Sequence, residues 1–235
     1  MQKGTVLRAL FVSINLKIIM TKNNNSYDTN CRQCPRLAGF LDEVKSEYPS
    51  YFCKPVPPFG DAIPSLFVVG LAPGMHGANA TGRPFTGDHA GILLYETLHK
   101  FGYASKPQSV GVDDGLMLTG CRISNAVKCL PPGNKPTPEE IKTCNHFLAH
   151  ELAGLPTSTR ILALGGIAHN AVLMAFGLKV SAAKFGHAAQ HELVSGHTLF
   201  DSYHCSRYNT NTKRLTEETF HQVFKMIQQH KKEKH

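Results

Sequence analysis

Four cysteines have a spacing that could hold a metal centre. Cys31 and Cys34 form a CxxC pair, and Cys129 and Cys144 form a second pair separated by fourteen residues. Four thiolates can hold zinc or an iron–sulfur cluster, and spacing alone does not separate the two. The alternative is that Cys144 is a core residue and Cys129 has no ligand role. The remaining cysteines are interpreted as packing residues: Cys53, Cys121 and Cys205.

A glycine-rich stretch from Gly70 to Asp88, GLAPGMHGANATGRPFTGD, is the second place where chemistry is indicated. Most strand-to-helix loops have two to six residues, so this loop is unusually long. Its glycines let a ligand approach the backbone N–H groups, and Arg83, Phe85 and Asp88 supply a charge, a ring and a carboxylate. The alternatives are a surface loop in which Asp88 caps the next helix, and a phosphate cradle over 74–82. No Gly-Lys-Ser/Thr follows, which disfavours the cradle.

The elements that must position these residues alternate between strands and helices along the chain. Strands are predicted at 65–69, 121–127, 160–164 and 198–203, and helices at 37–48, 90–101, 137–152, 168–176 and from 217 onward. The regions 51–61 and 179–196 are predicted to be irregular. This alternation predicts an α/β fold with a parallel sheet between two layers of helices. The ends of the first, second and fourth strands then share one edge, which brings the long loop, Asn125 and His204 together.

Composition places few limits on function. The net charge is +8, but residues 1–27 contribute +4 and residues 225–235 contribute +3, so the remaining chain is almost neutral. Any nucleic-acid surface must therefore be a local patch. An odd number of cysteines, seven, disfavours a purely disulfide-bonded secreted domain. We expect a monomeric cytoplasmic protein with no membrane span, an N-terminal extension at 1–27, one domain at 28–228 and a basic tail at 229–235.

Five segments together resemble the uracil-DNA glycosylase superfamily, and in particular its family 5, the iron–sulfur branch often called type B. The segments are CRQCPRL at 31–37, PPFGD at 57–61, the loop at 70–88, NAVKCLPPGNKPTP at 125–138 and HCSRYNTNTKRLT at 204–216. The resemblance implies a three-layer α/β/α sandwich with a central four-stranded parallel sheet. It also implies a structural [4Fe–4S] cluster with Cys31, Cys34, Cys129 and Cys144 as its ligands.

The resemblance further implies that the enzyme excises uracil, and other deaminated bases, from DNA by flipping the base into a pocket. Phe85 would stack on the base and Asn125 would bind its edge, with Gly70 and Ala72 lining the same pocket. The catalytic residues would be Asp88, His204 and Asn134: a carboxylate facing the sugar, a donor to the leaving base, and a polar group in the loop after the second strand. For Asn134, a role as a turn former is the alternative.

The DNA contacts implied by the resemblance come from two places. Arg83 lies in the long loop, and the others lie in or after the segment that begins at His204: Arg207, Tyr208, Asn209 and Arg214. The chain departs from the common family pattern at Cys205, where proline is usual, and at Ala80, where a basic residue is usual. The change at Cys205 and the almost neutral body of the chain support a second hypothesis, a nucleic-acid-binding module that keeps the fold and the cluster without activity.

Overall fold

The computed structural model describes residues 27–233. All but Tyr27 of the expected N-terminal extension, and the last two residues of the expected basic tail, lie outside the described residues.

A six-stranded sheet forms the centre of the described chain. Its strands are β1 (Phe59–Gly60), β2 (Leu66–Gly70), β3 (Cys121–Asn125), β4 (Arg160–Leu164), β5 (Gln190–Glu192) and β6 (Thr198–Ser202). The order across the sheet is β1-β3-β2-β4-β6-β5. The four inner strands run parallel, with Gly70 beside Asn125 and Leu164 beside Ser202. The predicted central four-stranded parallel sheet is therefore confirmed.

The two edge strands were not predicted. β1 and β5 lie in regions predicted to be irregular, and each pairs antiparallel with its neighbour. They have only two and three residues, which is too short for a two-residue alternation of apolar side chains to be visible in the sequence. Gly60 is needed in β1 because a Cβ there would lie 2.2 Å from the carbonyl oxygen of Cys121.

Seven helices are described: α1 (Pro35–Glu47), α2 (Ala78–Thr81), α3 (His89–Lys100), α4 (Pro138–Ala153), α5 (Gly166–Ala175), α6 (Arg207–Asn211) and α7 (Glu217–Glu233). The start of α4 is determined locally. Thr137 accepts from the Glu140 backbone N–H, and the Glu140 side chain accepts from the Thr137 N–H, which completes a capping box. α7 extends to Glu233, five residues beyond the expected end of the domain at 228.

Alternate side chains of β2 fill two separate cores, because successive side chains of a strand point to opposite faces of the sheet. Leu66 and Val68 pack in the core that contains α3 and α7. Phe67 and Val69 pack in the core that contains α4 and α5. The described helices thus form a layer on each side of the sheet, and no described helix is long and apolar enough to cross a membrane.

Candidate active site

A cleft of about 1020 Å³ opens where the inner strands end. The loop after β2 contributes the largest share of its wall, and Asn125, Asn134 and His204 contribute from other segments. Of the catalytic and base-binding residues predicted from the sequence, six line this cleft directly: Ala72, Phe85, Asp88, Asn125, Asn134 and His204. The sheet edge therefore brings together residues separated by up to 132 positions, as the parallel topology predicted.

Gly70 is the point where two of these side chains meet the backbone. A Cβ on Gly70 would lie 2.4 Å from Asn125 Oδ1 and 2.6 Å from Phe85 Cζ. Both distances are below any normal contact, so only glycine allows the amide and the ring to reach the end of β2. Gly70 shapes the pocket even though it presents no side chain to it.

The backbone of Phe85 has a φ of +55°, in the left-handed region that is unfavourable for a non-glycine residue. Such a conformation costs about 1 to 3 kcal/mol and persists only where surrounding structure enforces it. Here it turns the ring inward, where it is 6% exposed and stacks on the His204 ring at 5.9 Å with a 29° interplanar angle. The strained backbone thus presents an aromatic face to the cleft.

Asn125, at the end of β3, is 3% exposed. Its Oδ1 atom has no hydrogen-bond partner among the described residues. An unpartnered buried acceptor is costly in a folded protein, and the pocket is where a ligand could satisfy it. Asn125 therefore offers an amide edge for recognition of a flat polar ligand.

His204 follows β6 and lies between Gly165 and Phe85. Burial lowers the pKa of His204 to about 4, so its imidazole is neutral at pH 7. The Asn209 side chain donates to the His204 carbonyl at 2.8 Å and fixes the turn that carries the ring. A neutral imidazole has one N–H that can donate to a ligand oxygen.

Asp88 caps α3, because its Oδ1 accepts from the Gly91 backbone N–H at 3.0 Å. Its other oxygen faces the long loop: a Cβ on Gly77 would lie 2.5 Å from Asp88 Oδ2, and one on Gly74 would lie 3.2 Å away. Burial raises the pKa of Asp88. The capping role named as an alternative is therefore present, and a second oxygen is left over on the side of the cleft.

Asn134 ends a short 3₁₀ turn at the rim of the cleft. Asn134 has a φ of +57° and the preceding Gly133 a φ of +61°, so the turn needs residues that tolerate the left-handed region. Its side chain is exposed and stands opposite the long loop. The turn-forming role and a role at the cleft are both compatible with this position.

The prediction that Arg83 contacts DNA is contradicted by its surroundings. Arg83 is 5% exposed, and its guanidinium pairs with Asp114 at 2.8 Å and donates to the Val112 carbonyl at 2.6 Å. It also lies 4.5 Å above the ring of Phe59. The guanidinium of Arg83 thus binds the segment 109–114 to the long loop, and its charge is not available to a phosphate.

The other predicted DNA-contacting residues lie beside the cleft, on or just after α6. Arg207 and Tyr208 are exposed, and Arg207 lines the cleft. Arg214 is exposed and stacks on Tyr203 at 4.3 Å. Asn209 is turned inward to the His204 carbonyl, which assigns it a structural contact.

The four predicted metal ligands also come together. Cys31, Cys34, Cys129 and Cys144 line one pocket, although they come from the start of α1, the segment after β3 and the middle of α4. Burial raises the pKa of Cys144 to about 11 and raises that of Cys129 further, and neighbouring thiols of this group add to both shifts.

The chemistry of these four side chains bears on the kind of metal centre. Four thiolates are the donor set of structural zinc sites and of iron–sulfur clusters. The four cysteines that line this pocket therefore fit a metal centre of either kind.

One further group of metal-type ligands is found in the described chain. His169, His191 and Asp201 have ligand atoms within 4.8 Å of one another. His169 Nδ1 lies 2.8 Å from Asp201 Oδ1, and His169 Nε2 lies 3.1 Å from the Ala183 carbonyl. Although burial opposes the charge, hydrogen bonds of the two ring nitrogens to Asp201 and to the Ala183 carbonyl raise the pKa of His169.

Two buried residues next to the site were not predicted. Lys128 and Glu151 form an ion pair at 2.8 Å with side-chain exposures of 1% and 4%. The sequence feature that could have indicated this buried pair is a lone lysine, Lys128, inside the apolar run 126–130. Its position alone suggested only a surface residue, because Lys is almost never buried without a partner.

Comparison with known proteins places the chain in a family. The family model described as "Uracil DNA glycosylase superfamily" matches residues 57–228. The chain is similar to a type-5 uracil-DNA glycosylase of Thermus thermophilus, with 48% identity over 83% of this chain and 91% of the relative. A type-5 enzyme of Pyrobaculum aerophilum is 42% identical over 83% and 87%. A type-4 uracil-DNA glycosylase of Archaeoglobus fulgidus is 31% identical over 64% and 62%.

Proposed function

The chain belongs to the uracil DNA glycosylase superfamily, and we propose that it is a monofunctional uracil-DNA glycosylase of the type-5 kind. It hydrolyses the N-glycosidic bond of uracil, and of other deaminated bases, in DNA, as the first step of base excision repair. No lysine lines the described cleft, which agrees with hydrolysis by water rather than through a Schiff base.

The observation that carries this proposal is the meeting of Phe85, Asn125 and His204 in one cleft. A glycosylase must hold an extruded base by stacking and by hydrogen bonds to its edge. The Phe85 ring supplies the stacking face. The unpartnered Oδ1 of Asn125 accepts from uracil N3–H, while the amide N–H group donates to O4. Cytosine has an acceptor at N3 and a donor at its amino group, so the same amide edge is mismatched against it.

His204 supports departure of the base. As the glycosidic bond breaks, negative charge develops on uracil and on its O2 atom. A preorganised donor aimed at developing charge contributes to catalysis because it needs no reorganisation during the reaction. With its pKa lowered to about 4, His204 is neutral and donates an N–H without giving up a full proton.

Asp88 supports the sugar side of the reaction. The transition state of glycoside cleavage is oxocarbenium-like, and a carboxylate stabilises that positive charge and orients the attacking water. The Oδ2 of Asp88 faces the long loop while Oδ1 is held by the helix cap, so the carboxylate is fixed in position. Asn134 on the opposite rim is proposed as a second group that orients water.

We further propose that Cys31, Cys34, Cys129 and Cys144 hold a [4Fe–4S] cluster. The meeting of four thiolate donors in one pocket supports a metal centre here, and the resemblance of the flanking segments to the iron–sulfur branch favours a cluster over zinc. When bound, the cluster supplies a clamp between α1, the segment after β3 and α4. The hydrolysis itself is carried out by the residues of the cleft.

DNA contact is proposed for the exposed residues around α6, namely Arg207, Tyr208 and Arg214. They stand beside the cleft, where the strand that carries the flipped base must pass. We also propose that the protein acts as a monomer in the compartment that contains the DNA.

The experiment is single-turnover cleavage of a duplex oligonucleotide carrying one uracil, with a thymine duplex as the control. We expect release of uracil and an abasic site from the first duplex and none from the second. Binding of the uracil duplex without release would instead support the non-catalytic module. A protein that neither binds the uracil duplex nor releases uracil would have no DNA function of this kind.

A further inference from the structure

Lys128 is a buried cation that the catalytic proposal does not use. Its ammonium group has three acceptors in contact: the Ser124 hydroxyl, the Asn125 carbonyl at 2.9 Å and Glu151 Oε1 at 2.8 Å. Two of its three N–H donors bond the Ser124 hydroxyl and the Asn125 carbonyl, while the contact with Glu151 is an ion pair without hydrogen-bond geometry. Two of the three acceptors belong to Ser124 and Asn125, the last two residues of β3.

Glu151 on α4 is the countercharge. Its side chain is 4% exposed, and neither of its oxygens makes a hydrogen bond among the described residues, so the contact with Lys128 is its compensation. Buried ion pairs rarely add net stability, because removing both charges from water costs about as much as their attraction returns. Stability therefore does not explain why a lysine is present here.

The location of the pair suggests a reason. Lys128 Nζ holds the backbone carbonyl of Asn125, the residue whose side-chain amide faces the base pocket. The Lys128 backbone N–H donates to Cys144 Sγ at 3.3 Å, and the adjacent residue is Cys129. One residue thus contacts both the segment that carries the base-reading amide and a cysteine of the metal pocket.

We propose that the Lys128–Glu151 ion pair is a positioning element that fixes the Asn125 amide for base recognition and links it to the cysteine pocket. This inference rests on the proposed function for its catalytic readout. Without the ammonium, the Asn125 carbonyl loses its donor and the end of β3 can rotate. A displaced amide then no longer matches the uracil edge, while the DNA-contacting surface around α6 stays intact.

The decisive variant is Lys128→Met/Glu151→Leu, which removes both charges and leaves no unpaired ion in the core. We expect iron content and melting temperature close to wild type, but single-turnover uracil excision about tenfold to a hundredfold slower, the usual effect of losing a group that orients a site residue. Affinity for abasic-site DNA, which lacks the base, should be unchanged. Lys128→Met alone leaves Glu151 uncompensated and should lower the melting temperature as well.

Epistasis separates positioning from a general effect. Adding the double change to Asn125→Ala should slow excision no further than Asn125→Ala alone, because the amide that the pair positions is already absent. The control is Arg160→Met, which removes another buried cation at the opposite end of the sheet, and should lower melting temperature while leaving the excision rate unchanged.

Each result has one meaning. Wild-type excision rates in Lys128→Met/Glu151→Leu, or full additivity with Asn125→Ala, would overturn the positioning role and leave the proposed function standing. If the wild-type protein releases no uracil, the proposed function fails. The positioning role is then decided by hydrogen exchange at the Ala126 and Val127 amides, which donate to the Gly70 and Leu71 carbonyls and must exchange faster in the variant.

Discussion

The side chain of Asn125 lies directly against the Cα of Gly70, across neighbouring parallel strands. The contact leaves no room for any larger residue at position 70, since a methyl group there would lie 2.4 Å from the amide oxygen. The end of β2 therefore determines where the amide at the end of β3 can be.

Gly70→Ala should displace both Asn125 and Phe85. Misplacement of a binding group by about 1 Å costs on the order of a hundredfold in rate, and we expect a loss of that size in single-turnover excision. Gly39→Ala is the matched control, because a Cβ there meets nothing within 4 Å and the residue lies in α1. Equal rates for Gly70→Ala and wild type would reject the close approach as a functional constraint.

Asp88→Asn tests the carboxylate against the helix cap. Asparagine caps a helix nearly as well as aspartate, so melting temperature and DNA affinity should hardly change. The charge is lost, and excision should slow by on the order of a hundredfold or more. Calorimetry and single-turnover kinetics on the same samples check both parts. A variant that cleaves at the wild-type rate would show that Asp88 is a cap only, and Asn134 would be the next residue to replace.

Four-thiolate ligation predicts that protein purified without air is brown and contains iron and sulfide. Cys129→Ser should lose iron and unfold at a lower temperature, because ligand bonds join α1, the segment after β3 and α4. Cys53→Ser should keep its iron, since Cys53 contacts Asn79 and does not line the cysteine pocket. One zinc per chain in place of iron and sulfide would contradict the assignment.

Arg83→Gln should reduce stability rather than DNA binding. Breaking a buried ion pair by removing one partner costs about 3 to 5 kcal/mol, because Asp114 is left uncompensated. Although burial opposes its charge, Arg83 and three backbone N–H groups hold the pKa of Asp114 well below its usual value. That stabilisation is present above the unfolded pKa of about 3.9 and disappears as pH falls through the folded value. The difference in free energy of unfolding between variant and wild type should therefore shrink below about pH 4.

The salt dependence of DNA binding distinguishes Arg83 from a phosphate contact. Each phosphate contact contributes about one unit to the slope of log affinity against log salt. Arg207→Gln should reduce that slope by about one unit, whereas Arg83→Gln should leave it unchanged. A reduced slope for Arg83→Gln would restore Arg83 as a DNA-contacting residue.

His204 should remain neutral throughout the working pH range. Its pKa of about 4 follows from burial, so an NMR titration should show the ring of His204 unprotonated from pH 8 down to pH 5. The excision rate should accordingly not fall between pH 8 and 6 through His204. A titration midpoint near the ordinary value of about 6.5 would contradict the buried, neutral donor.

The sequence alone determined the architecture of the site. Alternating strands and helices required the inner strands to be parallel, and parallel strands end at one edge. The strand order of the sequence therefore places the loop at 70–88, Asn125 and His204 at the same edge. The four cysteines were grouped through the resemblance to a known family, since their spacing alone left the ligand set open. These features were readable because strand periodicity, helix caps and loop length are local properties of the chain.

Only the tertiary structure decided which polar residues face the cleft and which are buried in ion pairs with residues of other segments. The sequence assigned Arg83 to DNA, yet Asp114, 31 positions away, draws it into the interior. It gave Lys128 no role, yet Glu151 on α4 makes its burial possible. The sequence left Asp88 as either a helix cap or a catalytic carboxylate. In the structure its Oδ1 accepts from the Gly91 N–H, while its Oδ2 faces Gly74 and Gly77 in the long loop. Whether a charged side chain is buried or exposed depends on partners that are distant in sequence, because an ion can be buried only where the fold supplies its countercharge.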